Sequence, residues 1–295
     1  LKTIYSLIAA TFLAGTASAQ AADTLSRIKN SGTITMGVRE STAFSYALGA
    51  GKYTGFHYDV CTNVIRDIRK QLGLSELQTR YQLVTSQNRI PLVANGSVDL
   101  ECGATTNSKA RQRDVAFALT TYVEEVRMAV RADSGIDSIK DLANRTVVTT
   151  TGTTSVQLLR KHERANNIGF KEVFGKDHSE SFLMLEQGRA DAYVIDASTL
   201  ATFIAKSKQP SGFKIVGEVL SVEPIAIMIP KDDPEFKAAV DASIKAQIKS
   251  GEMEQLWSKW FLNPIPPNGV TINLPLGEAT REAWANPNDK PADDY

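Results

Sequence analysis

Short apolar runs alternate along this chain with longer segments of helical periodicity, and that alternation restricts it to a layered α/β fold. Thr33 to Val38 puts Ile34, Met36 and Val38 on one strand face. Gly55 opens a helix in which Val60, Val64, Ile65, Ile68 and Leu72 recur at helical spacing, and Gly73 closes it. Tyr81 to Val84 reads as the next strand, a short helix through Leu92 and Val93 stops at Asn95-Gly96, and Val98 to Cys102 reads as a third strand. The order strand, helix, strand, helix, strand calls for helices packed on a sheet, with functional loops at the strand ends.

The second half repeats the scheme. Met128 to Val130, Thr146 to Thr150, Phe170 to Phe174 and Ala192 to Asp196 read as strands, and Ile136 to Leu142, Thr154 to Ala165 and Ser181 to Glu186 as helices. Asn95-Gly96-Ser97-Val98-Asp99-Leu100 is echoed weakly by Gln187-Gly188-Arg189-Ala190-Asp191-Ala192, each a helix stop leading into a strand. Pro224 to Pro230 is a further apolar strand, and Asp233-Pro234 starts a long helix through Phe236, Val240, Ile244 and Ile248. The aromatic residues of a last helix, Glu252 to Phe261, recur at core spacing, and the polar stretch Asn286 to Tyr295 is expected to be loose.

Chemistry concentrates where these strands end. Gly103 to Arg111 (Gly-Ala-Thr-Thr-Asn-Ser-Lys-Ala-Arg) gathers hydroxyls, backbone N–H groups and a guanidinium, a donor set suited to a small carboxylate. Thr149-Thr150-Thr151-Gly152-Thr153-Thr154-Ser155 is a matching loop in the second half. Arg39 follows the first strand, Arg89 closes Thr85-Ser86-Gln87-Asn88-Arg89, and Asp196 ends its strand, where it could equally cap a following helix.

Composition bounds the rest. Lys+Arg and Asp+Glu balance at 33 each, so nothing calls for nucleic acid or an anionic membrane, and any positive site must be a local arrangement. Residues 1–19 read as a secretory signal: Lys2, an apolar run Ile4 to Ala14, and a small-residue cleavage site Ala17-Ser18-Ala19. The remaining stretch of about 275 residues suits two lobes better than one core. Export permits a disulfide, and the pair Cys61 and Cys102 fits one; the alternative is two buried thiols. Two cysteines and the scattered His57, His162 and His178 make no structural metal site.

The ordered set Gly37-Val38-Arg39-Glu40-Ser41, Thr85 to Leu92, Glu101 to Asn107 with Arg111-Gln112, Gly152 to Ser155, Lys176-Asp177-His178 and Trp260 to Pro267 resembles the periplasmic substrate-binding proteins of polar amino-acid ABC importers, solute-binding protein family 3. The resemblance spans nearly all of the chain after the signal and is nearest to those members that take acidic amino acids. It implies an α/β, two-lobe periplasmic binding protein type II fold with two hinge strands. One lobe would hold residues 20–122 and 228–295 and the other 123–227, with hinges near Tyr122 to Arg127 and Glu223 to Ile227. It also implies periplasmic location, a monomer, L-glutamate or L-aspartate as ligand, an ABC permease of the inner membrane as partner, and no cofactor, metal or catalytic residue.

Carried over by position, the resemblance gives Arg111 the ligand α-carboxylate, helped by Gly103, Thr105 and, from the other lobe, Thr153. It gives Asp196 the α-ammonium. Arg39, Arg89 and His178 face the side-chain carboxylate, with Ser86 and Thr150 completing the hydrogen bonds. Ala104 stands where the family has Ser, so no side-chain contact is expected there. Three arginines against one aspartate make the expected pocket about two charges positive, which favours an amino acid of net charge −1. Arginine only donates, so a glutamine amide NH₂ cannot replace a carboxylate oxygen against it. A sensory module feeding a receptor, or an enzyme on the same fold, are the competing readings; no nucleophile–base pair stands out.

Overall fold

The computed structural model describes residues 23–295; the expected signal segment lies outside them. In chain order the main elements are α1 (Thr24–Ser31), β1 (Thr33–Val38), β2 (Ser41–Thr42), β3 (Ser45–Gly49), β4 (Lys52–Thr54), α2 (Phe56–Gln71), β5 (Gln78–Leu83), α3 (Arg89–Ala94), β6 (Leu100–Glu101) and β7 (Ala116–Arg131). They continue with β8 (Thr146–Thr150), α4 (Ser155–Asn166), β9 (Lys171–Gly175), α5 (His178–Glu186), β10 (Ala192–Asp196), α6 (Ala197–Lys206), β11 (Phe213–Ile229), α7 (Pro234–Lys249), α8 (Glu252–Trp257) and α9 (Glu278–Ala285).

Eight strands form one sheet in the order β5-β1-β6-β11-β7-β10-β8-β9, and β2, β3 and β4 make a small separate sheet. β1 runs parallel to β5 and β6, and β8 parallel to β9 and β10. Between these parallel halves stand β7 and β11, antiparallel to each other from Ala116↔Ile229 to Arg131↔Phe213. Both pass from one half of the sheet into the other, and their register slips between Val216/Ser221 and again between Ile225 and Met228. Sequence patterning had found a fragment of each: Met128 to Val130 lies within the 16-residue β7, and Pro224 to Pro230 at the end of the 17-residue β11.

Strand periodicity divides the core. In the second half Val126, Met128, Val130, Ala192 and Val194 pack on one face, while Ala129, Tyr193 and Ile195 pack on the other, because alternate side chains leave opposite faces. Helices cover both faces, so these strands are nearly continuously apolar. In the first half one face carries the largest cluster, where Phe44, Phe56, Tyr122, Trp257 and Phe261 meet; the Trp257 and Phe261 rings stack at 3.9 Å. Val84, Val93, Val98, Phe117 and Met228 fill the other face.

Cys61 on α2 and Cys102 just beyond β6 are bridged, with Cα atoms 6.4 Å apart. The bridge ties the start of the Gly103 loop to the most buried face of α2. The stretch after Asn286, expected to be loose, is instead hydrogen-bonded to the free edge of β7 and to the Gly103–Arg111 loop. Thr120 N donates to Asn288 O (2.8 Å), Asn107 Nδ2 to Asp289 O (2.8 Å) and Ala292 N to Asn107 O (2.8 Å). Edge N–H groups of β7 would otherwise lack partners, which is the physical reason for this strap. Among the described residues no helix is long and apolar enough to cross a membrane.

Candidate binding site between the lobes

Arg39, Arg89 and Arg111 reach one place from three elements of the first half: the end of β1, the first residue of α3, and the short turn before β7. All three are buried. Each is held by the acceptors around it. Arg39 Nη2 donates to Ser86 Oγ (2.8 Å). Arg89 Nη1 donates to Ala104 O (2.8 Å) and Thr105 Oγ1 (2.6 Å), while its Nε has no protein partner. Arg111 Nη1 donates to Thr106 O (2.9 Å) and Nη2 to Gly152 O of the second half (3.5 Å). Desolvation, then the charge of Arg89, lowers Arg39 to about 10 and Arg111 to about 9. Burial also lowers Arg89. Arg39 and Arg111 therefore remain cationic at neutral pH.

The second half supplies His178 at the start of α5 and Asp196 at the junction of β10 and α6. His178 Nδ1 lies 3.1 Å from Thr150 Oγ1 and 3.0 Å from Tyr193 Oη, and Thr150 Oγ1 also meets Ser181 Oγ at 2.8 Å. Burial, then Arg39 and Arg89, pushes His178 well below its ordinary pKa, so the ring is neutral. Thr150 thus holds the imidazole in place, and Thr153 Oγ1 donates to Thr150 O (2.7 Å). Asp196 occupies the N-cap position of α6 yet makes no side-chain cap hydrogen bond. Glu124 of β7 replaces it there, taking hydrogen bonds from Ser198 N (3.3 Å) and Ser198 Oγ. This leaves the Asp196 carboxylate free to face the cleft. Burial, then Glu223, raises Asp196 to about 7 against the pull of the three arginines.

A small cavity of about 10 Å³ is lined from one side by Ser86, Arg89, Ala104 and Thr106 and from the other by Thr153, Thr154, His178 and Asp196. The walls are close enough that glycine is required where they touch. A Cβ on Gly152, whose φ is +82°, would sit 2.7 Å from Ser86 O. Within the first half, a Cβ on Gly103 would sit 2.8 Å from Arg39 Cγ. Gly103 O accepts from His57 (2.7 Å), a ring held near a pKa of about 4 by burial, so this histidine is a strut under the loop.

Of the candidate residues, Ser86, Arg89, Thr153, His178 and Asp196 line the cavity, whereas Arg39, Gly103, Thr105, Arg111 and Thr150 do not and stand behind those that do. Thr105 is fully buried, with its hydroxyl given to Glu101 Oε2 (2.5 Å), and its neighbour Thr106 lines the cavity. Thr154 lines it beside Thr153. The expected charge of about +2 needs revision, because two further carboxylates lie buried here: Glu101 and Glu223. Both act on the arginines electrostatically. Three arginines therefore face three acids, and selection rests on where donors and acceptors point rather than on net charge. An acidic residue inside the apolar run Val98 to Cys102 was the available signal for Glu101; Glu223 stood just before the apolar strand and carried none.

This arrangement, two halves of a sheet joined by a pair of long strands with a polar cleft between them, defines a type II periplasmic binding protein. The family model of the bacterial extracellular solute-binding proteins, family 3, matches residues 34–263, and the chain belongs to that family. It is 41% identical over 97% of its length, and 96% of the relative's, to the L-glutamate/L-aspartate-binding protein of Pseudomonas aeruginosa. It is 38% identical to the glutamate/aspartate import solute-binding protein of Escherichia coli, over 98% of each chain. Among solved structures, a mutant of ArgBP from T. maritima superposes with a TM-score of 0.71 at 26% identity, covering 80% of this chain and 98% of that one.

Proposed function

We propose that this protein captures L-glutamate or L-aspartate in the periplasm and hands it to an ABC permease of the inner membrane. The observation that carries the reading is a cavity lined by Arg89 opposite His178 and an uncapped Asp196, with Arg39 and Arg111 buried close enough to feel the charges of Arg89 and Asp196. A dicarboxylate with one ammonium offers the complementary groups: two anions for donor-only guanidiniums and one cation for a carboxylate. Arg111 takes the α-carboxylate, and Thr153, its hydroxyl given to Thr150 O, shapes the wall of the second lobe beside it. Arg39 and Arg89, with Ser86 and the neutral His178, take the side-chain carboxylate, and Asp196 takes the ammonium. Gly103, Thr105 and Thr150 support these groups from behind.

Of the described residues, 23–122 and 228–295 form one lobe and 123–227 the other. They close by bending where β7 and β11 cross between them, near Tyr122 to Arg127 and Glu223 to Ile227, a hinge mode known for periplasmic binding proteins. The register slips of β11 at this crossing support that location. The protein acts as an exported monomer, without cofactor or catalysis; the hydroxyls that meet His178, Thr150 Oγ1 and Tyr193 Oη, are buried supports of the ring. Calorimetric titration of protein stripped of ligand by unfolding and refolding, against the twenty amino acids, tests the reading. Heat confined to acidic amino acids supports it, and selective binding of a basic or apolar amino acid overturns it.

A further inference from the structure

Glu223 lies on β11 where that strand crosses between the lobes, directly opposite Glu124 of β7 in register. Like charges placed so are unfavourable. Glu124 is turned instead to Ser198, accepting from its N and Oγ, and burial, then Asp196, pushes it well above the carboxylate range. Glu223 has a different employment. Its Oε2 accepts the hydroxyl proton of Thr106 from the first lobe (2.6 Å) and that of Thr154 from the second (2.9 Å). A hydroxyl has a single proton, so both are thereby spent. What each threonine has left is lone pairs, and both line the same cavity as Asp196.

We propose that Glu223 is a positioning and specificity residue for the ligand's ammonium group. By fixing the hydroxyl protons of Thr106 and Thr154 it makes both oxygens acceptors, which with Asp196 complete a three-acceptor cradle for three N–H donors. Because the two threonines belong to different lobes, the cradle is assembled only on closure, and closure is thereby coupled to the presence of a cation at that point. The inference rests on reading the cleft as an amino-acid site, and it adds a selection against dicarboxylates that lack the amine.

The test compares L-glutamate with glutarate, the same dicarboxylate without its amine, by calorimetry on the wild-type chain, Glu223→Gln and Thr154→Val, with melting temperature followed alongside. Glu223→Gln keeps the shape and removes the charge. It is expected to narrow the glutamate-to-glutarate affinity ratio by about tenfold or more, mainly by weakening glutamate. Thr154→Val should move the ratio the same way by a smaller factor. Equal weakening of both ligands, the mark of a merely structural role, or an unchanged ratio in both variants overturns the inference while leaving the underlying reading intact. No glutamate binding by the wild-type chain overturns both.

Discussion

Asp196 offers the sharpest quantitative test. Its carboxyl is buried beside Glu223 and is raised to about 7, so half of it is protonated near neutrality in the ligand-free protein. A ligand ammonium requires the ionised form. Below pH 7 binding must therefore expel a proton, and the fall in affinity should approach tenfold for each unit of pH. With half of the carboxyl ionised at pH 7 and about 1% at pH 5, that move costs about 2.3 kcal/mol, or about fiftyfold in affinity. His178 is held neutral well below its ordinary range, and Arg39 and Arg111 stay cationic to about 10 and about 9, so the groups left to titrate at this point are Asp196 and Glu124, which Asp196 helps to raise. The ligand's own carboxylates titrate near pH 4 and below. Calorimetry at pH 5, 6, 7 and 8 in two buffers of different ionisation heat would read both the affinity and the protons released. About one proton should leave at pH 5 and close to none at pH 8, and Asp196→Asn should abolish the dependence. An affinity that stays flat from pH 5 to 8, with heats independent of buffer, refutes this account of the ammonium site.

Other perturbations separate the roles of the remaining groups. Arg111→Ala removes the paired donors near Thr106 and Gly152 and should weaken glutamate and glutamine alike by at least about a hundredfold, whereas Arg89→Leu should chiefly erode the preference for acids; equal loss of both ligands in the second variant counts against its role. Gly152→Ala puts a Cβ 2.7 Å from Ser86 O across the cleft, so small-angle scattering with saturating ligand should show a more open molecule and affinity should fall about tenfold or more for every ligand; full closure would contradict the fit. Replacing Cys61 and Cys102 by alanine opens a loop with a sequence separation of 41, which the chain-entropy treatment values at about 4 kcal/mol; thermal or urea denaturation should register that loss, and an unchanged melting temperature would show the bridge to be dispensable.

What the sequence disclosed and what it hid follow from the same physics. β1, β8 and β10 were legible because they are short and bounded by turn residues. β7 and β11 were seen in part, because Thr120-Thr121, Glu124-Glu125 and Gly217-Glu218 look like breaks until their partners are known. Thr121 is in fact bonded to His57 and Ile225, and Glu124 to Ser198. α6 begins with Ala-Ser-Thr, which carries little helical signal, and its capping by Glu124 is a tertiary event. α9 owes its place to Thr280 and Trp284 reaching the backbone of β7. In the cleft, the arginines stood out because loops at strand ends present them together. Which of two adjacent threonines faces inward, Thr105 or Thr106, depends on Glu101 capturing the first, and that contact is visible only after folding.

The central claim is that guanidiniums from separate loops divide two carboxylates between them. A crystal structure of the protein with bound L-glutamate tests it most directly. The account predicts the α-carboxylate on Arg111, the ammonium on Asp196, and the side-chain carboxylate enclosed by Arg39, Arg89 and His178. A ligand whose side chain points away from Arg39 and Arg89, or whose α-carboxylate does not meet Arg111, would contradict it.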